Sequence, residues 1–167
     1  MGYREHKQKA PQSVNCAIVT ISDSRTEETD ESGKFFKQRL TEKGHRVVAY
    51  ALLKNDALSI MRKLDELLKS EEVQLIITSG GTGISQRDIT IETVSPLLEK
   101  KLDGFGELFR SLSYQEIGTA SIMSRAIAGV IGGKVIICLP GSLGAVTLAS
   151  EKIILPEIGH LIWEATR

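Results

Sequence analysis

The chain has 167 residues, 41% of them hydrophobic and 25% charged, the balance of a single globular domain with an ordinary core. Lysine plus arginine equals aspartate plus glutamate at 21 each, so the net charge is zero and no basic excess suggests a general grip on nucleic acid. No apolar stretch is long enough to span a bilayer, and the opening MGYREHKQKAPQS is polar and basic without a secretory apolar region, which points to a cytoplasmic protein.

Residues 1–13 are read as a flexible arm and residues 14–167 as one domain. Residues 14–21, VNCAIVTI, predict a buried strand that ends in Ser22-Asp23-Ser24-Arg25. A helix is expected to begin near Asp30 or Ser32, to turn Phe35, Phe36 and Leu40 inward, and to stop at Gly44. Residues 45–53 predict a second strand. Asn55-Asp56 then caps a helix with Leu58, Met61, Leu64, Leu67 and Leu68 on one face. Residues 73–78 predict a third strand, running into Ser79-Gly80-Gly81-Thr82-Gly83. Thr90 is expected to cap a short helix, and Ser95-Pro96 reads as another helix start. Helices are predicted over 104–117 and 120–130. Gly132-Gly133 turns the chain into KVIICL, a further buried strand that ends at Pro140-Gly141-Ser142. Two helices close the chain, the second starting at Pro156.

Strands alternate with helices, and three strands are apolar on both faces. That pattern predicts an α/β fold of three layers, a mostly parallel sheet flanked by helices. Ligands in such folds bind beyond the carboxyl ends of the strands. Four loops follow strands here: 22–25, 55–56, 79–88 and 140–142. They are expected to meet at one rim.

Cys16 and Cys138 each sit in an apolar run and read as small buried hydrophobes. The three histidines lie near neither, so no zinc-type spacing exists. The glycine loop fits neither common phosphate fingerprint. Gln86 stands where a dinucleotide motif needs its third glycine, and Gly133-Lys134 has Ala128 and Val135 where a P-loop needs glycine and a hydroxyl. The loop reads either as a plain turn or as an anion nest in which Ser79 and Thr82 add hydroxyl donors to exposed amides. A carboxylate five residues on, Asp88, repels a phosphate by itself. It becomes compatible if it holds Mg²⁺ against that phosphate. Asp56 could join it or serve only as a helix cap. Ser124-Arg125 offers a hydroxyl and a guanidinium fork, or an ordinary polar surface.

The stretches TISDSR with the following DESG, LLKND, TSGGTGISQRDIT, DGFGELFR, IMSRAIAG and LPGS together resemble the molybdopterin-binding family. Its members include molybdenum cofactor biosynthesis protein B, Mog and the gephyrin G domain, and the likeness is nearest the protein B branch. The resemblance implies adenylyl transfer from the substrate ATP to the terminal phosphate of molybdopterin, with loss of diphosphate. It implies that Ser79, Gly80, Gly81, Thr82 and Gly83 cradle phosphate, and that Asp56 and Asp88 are catalytic and hold Mg²⁺. It assigns Ser22, Asp23, Asp30, Glu107, Ser124, Arg125, Pro140, Gly141 and Ser142 to substrate or nucleotide binding, and implies a homo-oligomer, trimer or hexamer. One departure stands out: the family commonly has proline two residues after the LPG glycine, and here that position is Leu143, followed by Gly144. Competing readings are a non-catalytic pterin-binding or scaffold module, a related nucleotide pyrophosphatase, and a flavin carrier.

Overall fold

The structure is a computed structural model that describes Gly2 and residues 7–167. Residues 1 and 3–6 of the expected arm lie outside the described residues. Six strands form one sheet: β1 (Asn15–Ile21), β2 (Arg46–Leu53), β3 (Leu75–Ser79), β4 (Lys100–Lys101), β5 (Ile127–Ile131) and β6 (Lys134–Leu139), in the order β2-β1-β3-β6-β5-β4. The pairs β1–β2, β1–β3 and β3–β6 are parallel, whereas β5 pairs antiparallel with both β6 and β4. The helices are α1 (Glu31–Glu42), α2 (Ala57–Lys69), α3 (Thr90–Val94), α4 (Asp103–Ile117), α5 (Leu143–Ala149) and α6 (Leu155–Thr166), with 3-10 turns at Ser95–Leu97 and Gly118–Met123.

Strand alternation divides the core in two. Cys16, Ile18, Leu75, Ile77, Val135 and Ile137 face α1, α4, α5 and α6. Ala17, Val19, Ile21, Ile76 and Ile136 face α2 and α3. Each buried aliphatic side chain contributes roughly 1.5–3 kcal/mol relative to exposure. Both faces are therefore covered, as a mainly parallel sheet requires. Both thiols are fully buried, and burial pushes each up to about 12, so neither is a nucleophile at neutral pH.

Asp30 caps α1 by accepting from the Gly33 amide at 2.9 Å, and Gly44 leaves the helix at φ 84°. Asp56 caps α2, accepting from the Ser59 amide at 2.8 Å. Three expectations are corrected. Residues 120–130 are not a helix: a 3-10 turn leads into β5, which forms a hairpin with β6 across Gly132 and Gly133 at φ 55° and 75°. Leu58 and Met61 lie on the exposed side of α2, at 55% and 47% exposure, and Ile60 takes the buried place with Leu64 and Leu67. Thr90 and Ser95 cap nothing with their side chains; the Thr90 hydroxyl donates instead to the Gly80 carbonyl at 2.9 Å.

The two closing helices are one run joined by a π-turn at Ser150–Ile154. Residues 7–9 are helical and lie against α6, where Lys7 Nζ reaches Glu157 Oε1 at 2.7 Å. The Pro11 carbonyl sits so close to Gly159 that a Cβ there would stand 2.5 Å from it.

Candidate functional site

The crossover from β1 leads to β2 on one side, and the next one, from β2, passes back over β1 to β3 on the other, so the switch point of the sheet lies between β1 and β3. A cavity of about 540 Å³ opens at the carboxyl ends there. Its floor is Ile21 and the glycine loop. Its walls come from Ser22 and Arg25 after β1, from Asp88, and from Pro140, Gly141 and Ser142 after β6. The far side is closed by Ser113 and Glu116 of α4 and by Ser124.

The glycines are needed for close backbone approach. Gly80 and Gly81 sit at φ 105° and 65°, a region that side chains rarely adopt. A Cβ on Gly80 would overlap the Ile21 carbonyl, and one on Gly141 would stand 3.1 Å from the Gly80 Cα. Gly83 has no positive φ; its need is space, because a Cβ there would stand 2.6 Å from Asp88 Oδ2. The loop is fastened from behind, with the Gly80 amide donating to the Leu139 carbonyl at 2.9 Å and the Thr90 amide to the Gly81 carbonyl at 2.9 Å. The next three amides, of Gly81, Thr82 and Gly83, donate to no acceptor among the described residues. Ser79 Oγ and Asn55 Oδ1, both buried, also lack partners. Unfilled amides in a loop of this shape form an anion nest.

Asp88 lines the cavity half-buried. Its Oδ2 accepts from the Ser85 amide at 3.1 Å and the Ser85 hydroxyl at 2.7 Å, which fixes the carboxylate while Oδ1 accepts nothing. Asp56 is placed otherwise. It lies outside the cavity lining, and its Oδ2 takes both the hydroxyl and the amide of Ser59, bonds that hold its carboxyl below the usual range. Its neighbour Asn55 does reach the loop: a Cβ on Gly81 would stand 2.5 Å from Asn55 Oδ1. The four loops thus meet at one rim, but only one of the two aspartates lines the cavity.

The other expected residues divide. Ser22, Gly80, Gly81, Thr82, Gly83, Ser124, Pro140, Gly141 and Ser142 line the cavity, and Ser79 is buried beneath it. Asp23 turns to the α2 entry, accepting from the Asn55 amide at 3.0 Å; that backbone bond, then the Asn55 side chain, lowers its pKa. Asp30 is fully buried, held by the Gly33 amide and by the Tyr50 hydroxyl at 2.8 Å, so it supports the fold and does not reach the cavity. Glu107 and Arg125 line a second cavity of about 380 Å³ with Lys101, Asp103 and Arg110. Arg125 also donates to the Gly83 carbonyl at 2.8 Å and pairs with Glu92, whose carboxyl that contact holds low. Arg25, Ser113 and Glu116 were not foreseen. Arg25 carried a signal, an arginine in a loop that follows a strand; Ser113 and Glu116 carried none, because they read as an ordinary helix face.

A mainly parallel sheet with an amide-lined cavity at its switch point defines an α/β protein built to hold an anionic ligand. The chain belongs to the family described as the probable molybdopterin binding domain, whose model matches residues 17–160. It is 52% identical over 168 residues to the molybdenum cofactor biosynthesis protein B of Bacillus cereus, covering 100% of this chain and 99% of that protein. It resembles a crystal structure of molybdenum cofactor biosynthesis protein B, 53% identical, with a TM-score of 0.90 over 93% of this chain and 98% of that one. It also resembles a tungsten cofactor synthesizing protein from Pyrococcus furiosus, 38% identical, with a TM-score of 0.85 over 95% and 100% of the two chains.

Proposed function

We propose that the protein works in molybdenum cofactor biosynthesis as a molybdopterin adenylyltransferase. An oxygen of the molybdopterin phosphate attacks the α-phosphorus of ATP. The α–β phosphoanhydride bond breaks, and diphosphate leaves with the bonding electrons. The products are adenylylated molybdopterin and diphosphate. The observation that carries this reading is the set of three unpartnered amides, Gly81 to Gly83, set beside Asp88 in a cavity of about 540 Å³ in a molybdopterin-binding chain.

Both reactants are anions, so alignment and neutralisation are most of the catalytic task. The amides of the glycine loop hold one phosphate, and the hydroxyls of Ser22, Ser124 and Ser142 lie within the same lining. Mg²⁺, when bound, supplies the positive charge that lets two phosphates approach each other. The residues fit it in one form. No group of three or more acidic, histidine or cysteine side chains among the described residues could hold a metal alone. The Asp88 Oδ1 is a hard oxygen without a partner, and Mg²⁺ commonly takes one or two carboxylates with substrate phosphates completing its shell. Asp56 contributes a negative charge at the same rim, on the residue after Asn55.

We place the protein in the cytoplasm; no helix among the described residues is long and apolar enough to cross a membrane. We also propose a homo-oligomer, trimer or hexamer, supported by the exposed apolar side chains Leu108, Tyr114, Ile117, Ile122 and Met123. The test of function is direct. Incubation with molybdopterin, ATP and Mg²⁺ should give diphosphate and adenylylated molybdopterin. Binding of molybdopterin without diphosphate release would make the protein a binding module. Diphosphate release without molybdopterin would make it a pyrophosphatase.

A further inference from the structure

The cavity has an electrostatic imbalance. Its charged lining residues are Arg25, Asp88 and Glu116, so Arg25 is the single cation against two carboxylates. Arg25 is also held in place. Its Nη2 donates to the Gly141 carbonyl at 3.0 Å, and its Nη1 donates to the Ser32 hydroxyl at 3.1 Å. Ser32 in turn donates to the same Gly141 carbonyl at 2.9 Å. Behind the guanidinium lies the fully buried Asp30, 3.6 Å from Nη1.

A guanidinium has five N–H donors in a rigid plane. Two are used on Ser32 and Gly141, and the side chain remains 27% exposed. A surface arginine without a task would not be fixed by a buried acid, a hydroxyl and a carbonyl at once. The fixing holds the fork at the cavity wall, which lowers the entropy lost when it grips an anion.

We infer that Arg25 is a phosphate-anchoring residue, whose unused guanidinium donors take a phosphate of one of the two substrates while its inner edge ties the loop after β1 to the loop after β6. The proposal rests on the reading of the cavity as a seat for phosphorylated substrates. The phosphate belongs either to the nucleotide or to the pterin, and the two are separated by testing each alone. The guanidinium also explains how two acidic walls accept an anion before any second cation arrives.

The experiment measures equilibrium binding of Mg·ATP alone and of molybdopterin alone, at two salt concentrations, together with melting temperature and diphosphate release. The proteins are the full chain, R25Q, R25K and S32A. R25Q should lose affinity for one ligand by about tenfold or more and keep the other, with a shallower salt dependence for the ligand it loses. R25K keeps charge without the fork and should fall between. S32A loses one of the contacts that fix the fork and one support of Gly141 but no charge, so it should lower the melting temperature and weaken the same ligand by less than R25Q does. If R25Q does not fold, R25K decides by the same selective loss. Unchanged affinity for both ligands overturns the proposal. So does an equal loss of both that tracks melting temperature, and so does a full chain that binds neither. If the full chain binds both but releases no diphosphate, adenylyl transfer fails as the function while the R25Q affinities still judge Arg25.

Discussion

Gly83 and Asp88 are fitted so closely that a methyl group on Gly83 would stand 2.6 Å from Asp88 Oδ2 and 3.1 Å from its Cγ. The absence of a side chain at one position therefore sets the aim of the carboxylate at the other. Gly83 has ordinary φ, so alanine fits the backbone there and only the Asp88 side chain must move. G83A should keep its melting temperature and lose product formation by about tenfold, near 1.4 kcal/mol of barrier. D88N should lose about a hundredfold or more. Since both changes act through one carboxylate, G83A added to D88N should cost little more. Additive losses in steady-state rates would show that Gly83 acts elsewhere.

Gly80 and Gly81 make a different prediction. G80A forces a side chain into φ 105° and against the Ile21 carbonyl, a backbone contact that cannot rotate away. Strain of this kind costs on the order of 1–3 kcal/mol before the overlap is added. G81V meets φ 65° and Asn55 Oδ1, so it should lower both melting temperature and ligand affinity. G104A is the control: nothing lies within 4 Å of its Cβ, and it sits inside α4. It should gain roughly 0.5–1 kcal/mol in a denaturant titration. A stable G80A protein would remove the argument that the loop geometry is fixed by close approach.

The sequence made the central strands legible because each is a continuous apolar run, buried on both faces, with a ligand loop at its end. It failed at residues 120–130 for a physical reason. Ala120, Met123, Arg125 and Ala126 favour a helix and run straight into IAGVI, which is too short to show its own period, and its strand state is fixed by pairing with β6 across two glycines of positive φ. The two-residue β4 is set by the same tertiary pairing. On α2 the leucine spacing admitted two faces, and packing chose the one through Ile60. At the site, glycines and loop ends were readable because turn chemistry is local. The direction of a carboxylate was not. Asp30 and Asp88 look alike in sequence, yet one is buried against Tyr50 and the other lines the cavity. Arg25 was quoted within a motif, but its hold on Gly141 joins residues 116 apart and leaves no local signal.

His45 gives a pH prediction. Its Nδ1 accepts the Val14 amide at 3.2 Å, so the ring must be neutral to make that bond. Burial lowers its pKa below the ordinary imidazole value of 6.5. The folded state therefore binds the proton less readily than the unfolded state. Stability is full above pH 6.5 and is lost as pH falls through the folded value. The carboxylates whose pKa values are lowered act only below their ordinary range near 4.5, so the windows do not coincide. Melting temperature should fall between pH 7 and 5, and H45Q should flatten that part of the curve. An equally steep fall in H45Q would assign the effect to other groups.

Asp56 decides how far catalysis extends beyond the cavity wall. Its carboxylate caps α2 through the amide and hydroxyl of Ser59, which makes a structural role certain. Its charge is a separate matter. The two bonds to Ser59 lower its pKa, so the group is ionised at neutral pH, and it follows Asn55, which reaches the glycine loop. Asparagine caps helices about as well as aspartate, so D56N removes charge while keeping the cap. Its melting temperature should match the parent within the equivalent of about 0.5 kcal/mol, and its affinity for molybdopterin should be unchanged. If that charge helps hold Mg²⁺ near two phosphates, product formation should fall sharply. D56A is the complement, losing cap and charge together, with roughly 1 kcal/mol less stability. All three quantities should be read on one preparation. Full turnover in D56N would confine Asp56 to the helix end and leave Asp88 as the carboxylate of the reaction.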